Sequence, residues 1–259
     1  MTVEAVAAVA AGALFGYLLG SISPGLLIGR VYGVDVRDFG SGKTGFTNTL
    51  RAVGVFPAIV VITADILKGT AAVLVGSQLL DEPWAAALGG IAVVVGHNWP
   101  LFAGFRGGRG VATAFGAFVA IDPVAGVLVL AASALVLGAT RYMSLVSVAG
   151  VLAGAIILIV RALTDALPME YIAFGVVVAT MVEVSHIGNI RRLIAGEEPK
   201  LGQGGSRRRR SRRTSRRGSG RGAGQQQPLT VGGGGAHPAA TSRRRCDGER
   251  RDVSGSSAF

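Results

Sequence analysis

Apolar residues in this chain run in long blocks with no alternation and no heptad pattern. Five blocks, at 3–28, 52–76, 84–102, 143–160 and 171–184, are built mostly of Ala, Val, Leu, Ile and Gly. A helix of about 20 such residues crosses a hydrocarbon core about 30 Å thick, so each block predicts a membrane helix. A sixth block, 111–138, is interrupted by Asp122-Pro123, and proline does not continue an ordinary helix. Glu4 stands where a cleavable leader carries Lys or Arg, so the first block reads as a retained helix.

The polar segments between the blocks predict sidedness. Residues 30–51 carry Arg30, Arg37, Lys43 and Arg51, residues 103–110 carry Arg106 and Arg109, and residues 77–83 carry only Asp81 and Glu82. Basic loops stay cytoplasmic, which places the first two inside and the third outside. Six crossings would then leave the arginine-rich C-terminus outside, against the same rule. Splitting the sixth block at Asp122-Pro123 restores the parity. Its first half, about 11 residues, reaches only about 16 Å and needs shielding by protein. The expectation is an all-α polytopic membrane bundle of seven transmembrane helices in the cell inner (plasma) membrane, N-terminus outside and C-terminus cytoplasmic.

Composition divides the chain near residue 201. The net charge of +11 belongs to the last segment: residues 1–201 hold 12 basic and 12 acidic residues, whereas 202–259 hold 14 arginines against 3 acids. An integral membrane domain over 1–204 and a disordered Arg/Gly/Ser-rich tail over 205–259 follow, because the tail lacks the apolar side chains that offset ordering entropy. A solvated tail is the plainer expectation. Its arginines would also suit anionic lipid or RNA. The single cysteine, Cys246, and the scattered His97, His186 and His237 exclude a disulfide framework and offer no metal-ligand spacing. No cofactor and no obligate protein partner are expected.

Three polar segments share the predicted cytoplasmic face. The first contains Gly40-Ser41-Gly42-Lys43-Thr44, which echoes a P-loop, but Asp38 stands where the Walker spacing needs glycine. It suits hydroxyl and phosphate groups through its Gly, Ser, Thr and Asn residues and its cations. The second is Phe105-Arg106-Gly107-Gly108-Arg109-Gly110, in which glycine N–H groups and arginine forks suit an anion, with a helix N-terminus following. The third holds His186 and Asn189, three apart and so on one helical face.

These three segments resemble the signature motifs of the bacterial acyl-phosphate:glycerol-3-phosphate acyltransferase family. Gly40-Ser41-Gly42 through Asn48 and Arg51 is similar to the first motif, and Gly96-His97 through Thr113 to the second. His186, Asn189, Ile190, Arg192, Leu193, Gly196 and Glu198 match the third, and Arg141-Tyr142-Met143-Ser144-Leu145 resembles a further recurring segment. The resemblance runs in order from about residue 20 to 202 and implies a seven-helix enzyme. It would pass a fatty acyl group from acyl phosphate to the 1-hydroxyl of glycerol 3-phosphate, giving lysophosphatidate. It implies catalytic roles for Ser41, His186 and Asn189, and substrate binding by Asn48, Arg51, Arg106, Gly107, Gly108, Arg109, Gly110 and Ser144. Against the family pattern, Lys43 replaces asparagine, Arg106 and Arg109 replace lysines, and Ser185 and Ile187 replace arginines. Two rivals stand beside the enzyme. One is a small anion transporter, suggested by the intramembrane pair Asp65 and Lys68; the other is a catalytically silent scaffold.

Overall fold

The computed structural model describes residues 2–203, and every regular element among them is helical. In order these are α1 (Val3–Ser21), α2 (Pro24–Val31), α3 (Phe46–Val53), α4 (Val55–Leu74), α5 (Pro83–Asn98), α6 (Val111–Ile121), α7 (Pro123–Thr140), α8 (Met143–Leu163) and α9 (Glu170–Ile194). Six segments are long and apolar enough to cross a membrane: Val3–Val31, Val55–Gln78, Pro83–Ala103, Pro123–Thr140, Met143–Leu163 and Glu170–Ile194. Large side chains such as Leu14, Phe56, Val127, Leu135 and Ile156 are exposed on them. Such surfaces are expected where the surrounding solvent is lipid.

Small residues set the helix spacing, as they do where apolar burial gives no net drive for association. Gly12, Gly16 and Gly20 of α1 lie against the backbone of Ala85, Gly89 and Val93 of α5, so closely that an added Cβ at any of them would collide. Gly69 of α4 and Gly116 of α6 interlock the same way, Gly69 on Thr113 O and Gly116 on Ile66 O. This is how α6, with only 11 residues, is held within the bundle. Phe118 of α6 meets Phe174 of α9 edge to face, their centroids 5.2 Å apart, near the middle of the core.

The break at Asp122-Pro123 falls where the sequence places it. Asp122 accepts a hydrogen bond from Val124 N at 3.0 Å and caps α7, Pro123 fills its first position, and Arg161 of α8 pairs with the Asp122 carboxylate. Other boundaries move. The first apolar block is two helices, because Ser21 turns its hydroxyl to Tyr17 O at 2.8 Å and Pro24 starts a new one. The last helix continues ten residues past 184 to Ile194, carrying His186 and Asn189 on one unbroken rod.

The polar segments converge at one end of the bundle. Arg37 donates to Ala103 O at 3.4 Å, Leu201 N to Arg141 O at 2.7 Å, and Arg51 to Gln203 O at 3.3 Å. The segment after α9 therefore folds back across the start of α8 and onto α3. Residues 204–259, and with them the expected tail and His237, lie outside the described residues.

Candidate active site

A cavity enclosing about 1220 Å³, its open mouth included, runs between α4, α6, α7 and α8. Its mouth is polar and its depth apolar. Ser41, Lys43, Asn48, Arg109, Gly110 and His186 line the mouth, with Asp65 and His97 behind them; Ile62, Phe115, Phe118, Val129 and Val151 line the depth.

The loop before α3 is shaped by Asn48. This buried amide donates to Phe39 O and to Lys43 O, both at 2.8 Å, and its oxygen accepts from Ser41 N at 3.1 Å. Both of its N–H donors are thus committed to the loop. Asn48 borders the cavity, but its direct effect is to hold Ser41 and Lys43 there. Arg51, one turn along α3, packs against Gly40 and touches the returning C-terminal segment.

In the second loop, structure and expectation part. Gly107 N donates to Asn98 O at 3.2 Å and Gly108 N to His97 O at 3.0 Å, so these two N–H groups close the end of α5 and do not face a ligand. The glycines are required for a steric reason instead. A Cβ on Gly107 would strike His97 O, and one on Gly108 would strike His97 Nε2. Gly110 has φ +79° at the start of α6, a conformation that favours glycine. The donors left for an anion are the first-turn N–H groups of α6, beginning at Val111 and Ala112, which also line the cavity. Arg109 borders the cavity beside them, whereas Arg106 is exposed and is not among its lining residues.

The cations at the mouth crowd one another. Lys43 is held below its ordinary pKa by burial and by the charge of Arg109. Arg109 is lowered by burial and by Arg192 and Arg51, against the opposing pull of Glu198. Lys43, Arg51, Arg109 and Arg192 thus crowd together, with Glu198 opposing Arg109 and paired to Arg192, and a bound anion would relieve their repulsion.

Behind the mouth, Glu198 gathers the third segment. Asn189 Nδ2 donates to Glu198 Oε1 at 2.6 Å, and Arg192 Nε to Oε2 at 2.8 Å. Ser144, buried at the start of α8, also lies toward this carboxylate. Asn189 is therefore held by Glu198, and neither Asn189 nor Ser144 lines the cavity. His186 does. Its Nδ1 lies 2.8 Å from Val182 O, which only accepts, so Nδ1 carries the proton and a neutral ring leaves Nε2 as the acceptor.

The intramembrane pair resolves as internal structure. Lys68 Nζ lies 2.8 Å from Asp65 Oδ1 and 2.9 Å from His97 Nδ1, and it also reaches Ile22 O at 3.1 Å. Two buried charges and an imidazole thus tie α4 to α5 and to the α1–α2 break. Sequence reasoning named neither His97 nor Glu198 as a site residue. His97 was legible only as the histidine that opens the second motif, and Glu198 only as the acid of the third.

The fold and this mouth define a polytopic membrane protein with a cationic, phosphate-suited cavity opening into an apolar cleft. Residues 10–196 match the family described as glycerol-3-phosphate acyltransferase, and the chain belongs to it. It is 45% identical over 192 residues to the glycerol-3-phosphate acyltransferase of Halalkalibacterium halodurans, covering 72% of this chain and 92% of that one. It is 41% identical to that of Rubrobacter xylanophilus, over 73% and 93%. Among solved structures it resembles PlsY, an integral membrane glycerol 3-phosphate acyltransferase, in its glycerol 3-phosphate form. That likeness has TM-score 0.70 and 32% identity, over 75% of this chain and 96% of that one. The lysophosphatidic acid form of PlsY superimposes with TM-score 0.68.

Proposed function

We propose that this protein transfers a fatty acyl group from acyl phosphate to the 1-hydroxyl of glycerol 3-phosphate, releasing lysophosphatidate and phosphate. The observation that carries this reading is the joining of a crowded cationic mouth to an apolar cleft in one cavity. Glycerol 3-phosphate brings one phosphate and its hydroxyls; acyl phosphate brings a second phosphate and a long apolar chain.

Arg109, Lys43 and the first turn of α6 hold the phosphate of the acyl donor. Arg51 and Arg192, with Ser41 at the rim, hold glycerol 3-phosphate. The hydroxyl oxygen forms a bond to the acyl carbonyl carbon, the bond from that carbon to the phosphate oxygen breaks, and the hydroxyl proton ends on the departing phosphate. His186 Nε2 accepts the hydroxyl's hydrogen bond and orients it. Acyl phosphate is already activated, so no covalent acyl-enzyme is needed; positioning two anions that repel one another is the main task. Asn189, Ser144 and Glu198 fix the end of α9 that carries His186.

The seven-crossing arrangement belongs to the same proposal. Counting the short α6 as the extra crossing puts the polar end of the bundle and residues 205–259 on the cytoplasmic side, where the arginines of that tail would suit anionic lipid or RNA. Support comes from the α6–α7 break at Asp122-Pro123 and from the basic residues gathered at that end. The test is incubation of the purified full chain in liposomes with acyl phosphate and glycerol 3-phosphate. Formation of lysophosphatidate bears the proposal out; glycerol 3-phosphate flux without acyl transfer replaces it with a transporter.

A further inference from the structure

We infer that His97 is a second histidine of the reaction, its Nε2–H donating to the carbonyl oxygen of the acyl phosphate and stabilising the negative charge that develops there. The inference rests on the acyl-transfer reading above.

His97 stands in the last turn of α5 and lines the cavity while only 7% exposed. Its two ring nitrogens have different surroundings. Nδ1 is enclosed, with Lys68 Nζ 2.9 Å away and Asp65 Oδ1 3.2 Å away. Nε2 has no hydrogen-bond partner among the described residues. Beside the Asp65 carboxylate, 2.8 Å away, Lys68 is an ammonium, which donates and has no lone pair with which to accept. Nδ1 therefore accepts from Lys68, and in the neutral ring the proton sits on Nε2. This is the opposite tautomer to that of His186, whose Nδ1 is protonated against Val182 O. One cavity thus holds a histidine acceptor and a histidine donor. Gly108 leaves the donor open: a Cβ there would collide with Nε2 and cover it.

The place of the ring selects the atom that it meets. On one side are Gly108 and, next along the chain, the lining residues Arg109 and Gly110. On the other is Asp65, flanked on α4 by the lining residues Ile62 and Ile66. His97 thus sits where the cationic lining meets the apolar lining. An acyl phosphate lying along the cavity has its phosphate on the first and its chain on the second, and between them is its carbonyl. As the hydroxyl oxygen bonds to the carbonyl carbon, the carbonyl oxygen takes up negative charge and the hydrogen bond from Nε2–H strengthens. As the bond from carbon to phosphate oxygen breaks, the carbonyl re-forms. His97 keeps its proton throughout. Asp65 and Lys68 act through the ring, as positioning residues that fix its tautomer.

The experiment uses the full chain in liposomes, with acyl phosphate and glycerol 3-phosphate, and compares His97→Gln with His97→Asn. The glutamine amide nitrogen reaches the place of Nε2 and still donates. The asparagine amide oxygen reaches the place of Nδ1, so it satisfies Lys68 but leaves no donor at Nε2. His97→Asn is expected to lower kcat by about a hundredfold or more, the scale of a lost oxyanion donor, and His97→Gln by less than about tenfold. The KM for glycerol 3-phosphate is expected to stay unchanged, because the charge that the donor meets exists only in the transition state. A merely structural role, holding Lys68, gives the reverse order of activities. Nitrogen NMR of the unmodified chain labelled at histidine, with His97 assigned by its loss in His97→Gln, is expected to show the proton on Nε2. His97→Asn as active as His97→Gln, or a proton on Nδ1 of His97, overturns this role alone. Absence of transfer by the unmodified chain overturns the acyl-transfer reading and this role with it.

Discussion

Asn189 Nδ2 and Glu198 Oε1 lie 2.6 Å apart, joining the last turns of α9 to the segment that folds back after it. Glu198 is held below its ordinary pKa: burial pushes it up, but the Asn189, Ser144 and Arg192 side chains outweigh that. A carboxylate depressed in the folded state contributes stability in full above its unfolded pKa, and that contribution is lost as pH falls through the lower folded value. Activity should therefore fall on acidification below about pH 4, the ordinary glutamate range. Glu198→Gln should weaken transfer by about tenfold at neutral pH and flatten this acid limb, since charge-assisted hydrogen bonds are about twice as strong as neutral ones. Activity against pH for both proteins checks it.

Gly108→Val should abolish transfer while leaving the protein in the membrane fraction. Its side chain would enter the space of the His97 ring, displacing the loop that aims Arg109 at the cavity. Near-normal transfer by this variant would mean that the loop is only a connector.

The two arginines of the second loop should separate. Arg109→Ala removes a cation lining the cavity and should cost at least about a hundredfold in kcat/KM, on the scale of lost oxyanion or phosphate stabilisation. Arg106→Ala, at an exposed position, should stay within about threefold, the scale of a screened surface charge. Equal losses would place Arg106 at the reacting phosphate after all. His186→Ala and Asn189→Ala should each slow transfer by about tenfold or more, and His237→Ala should not.

The helical bundle was legible in the sequence because membrane helices are written in long local runs. The Asp122-Pro123 break was legible because Asp caps and Pro starts a helix in the same two residues. The end of α9 was not: Glu183, Ser185, His186 and Asn189 interrupt the apolar run, yet the helix continues, with Ser185 and His186 bonding carbonyls one turn back and Asn189 bonding Glu198. At the site, residue types singled out Ser41, Arg109, Gly110 and His186, which the structure gathers along one cavity. Local spacing did not reveal that Gly107 and Gly108 face His97, or that His97 joins Asp65 and Lys68. Those contacts link different helices and leave no period in the chain. The Asp65–Lys68 ion pair, i to i+3 on α4, was readable as such.

Truncation after Gly204 should leave insertion and transfer nearly intact, because the last described contact of the body is Arg51 with Gln203 O. Salt-sensitive binding to anionic liposomes should fall, since it acts through the arginines removed. Loss of transfer from a truncated, correctly inserted protein would move the domain boundary into the tail.

The most direct measurement compares donors with matched acyl chains on the purified full chain in liposomes, following lysophosphatidate and phosphate together. The cationic mouth suits small phosphate groups, and the described residues include no separate domain for a nucleotide. The account predicts one phosphate released per lysophosphatidate formed, and acyl phosphate used far faster than acyl-CoA. Faster turnover with acyl-CoA, or lysophosphatidate formed without stoichiometric phosphate, would contradict it.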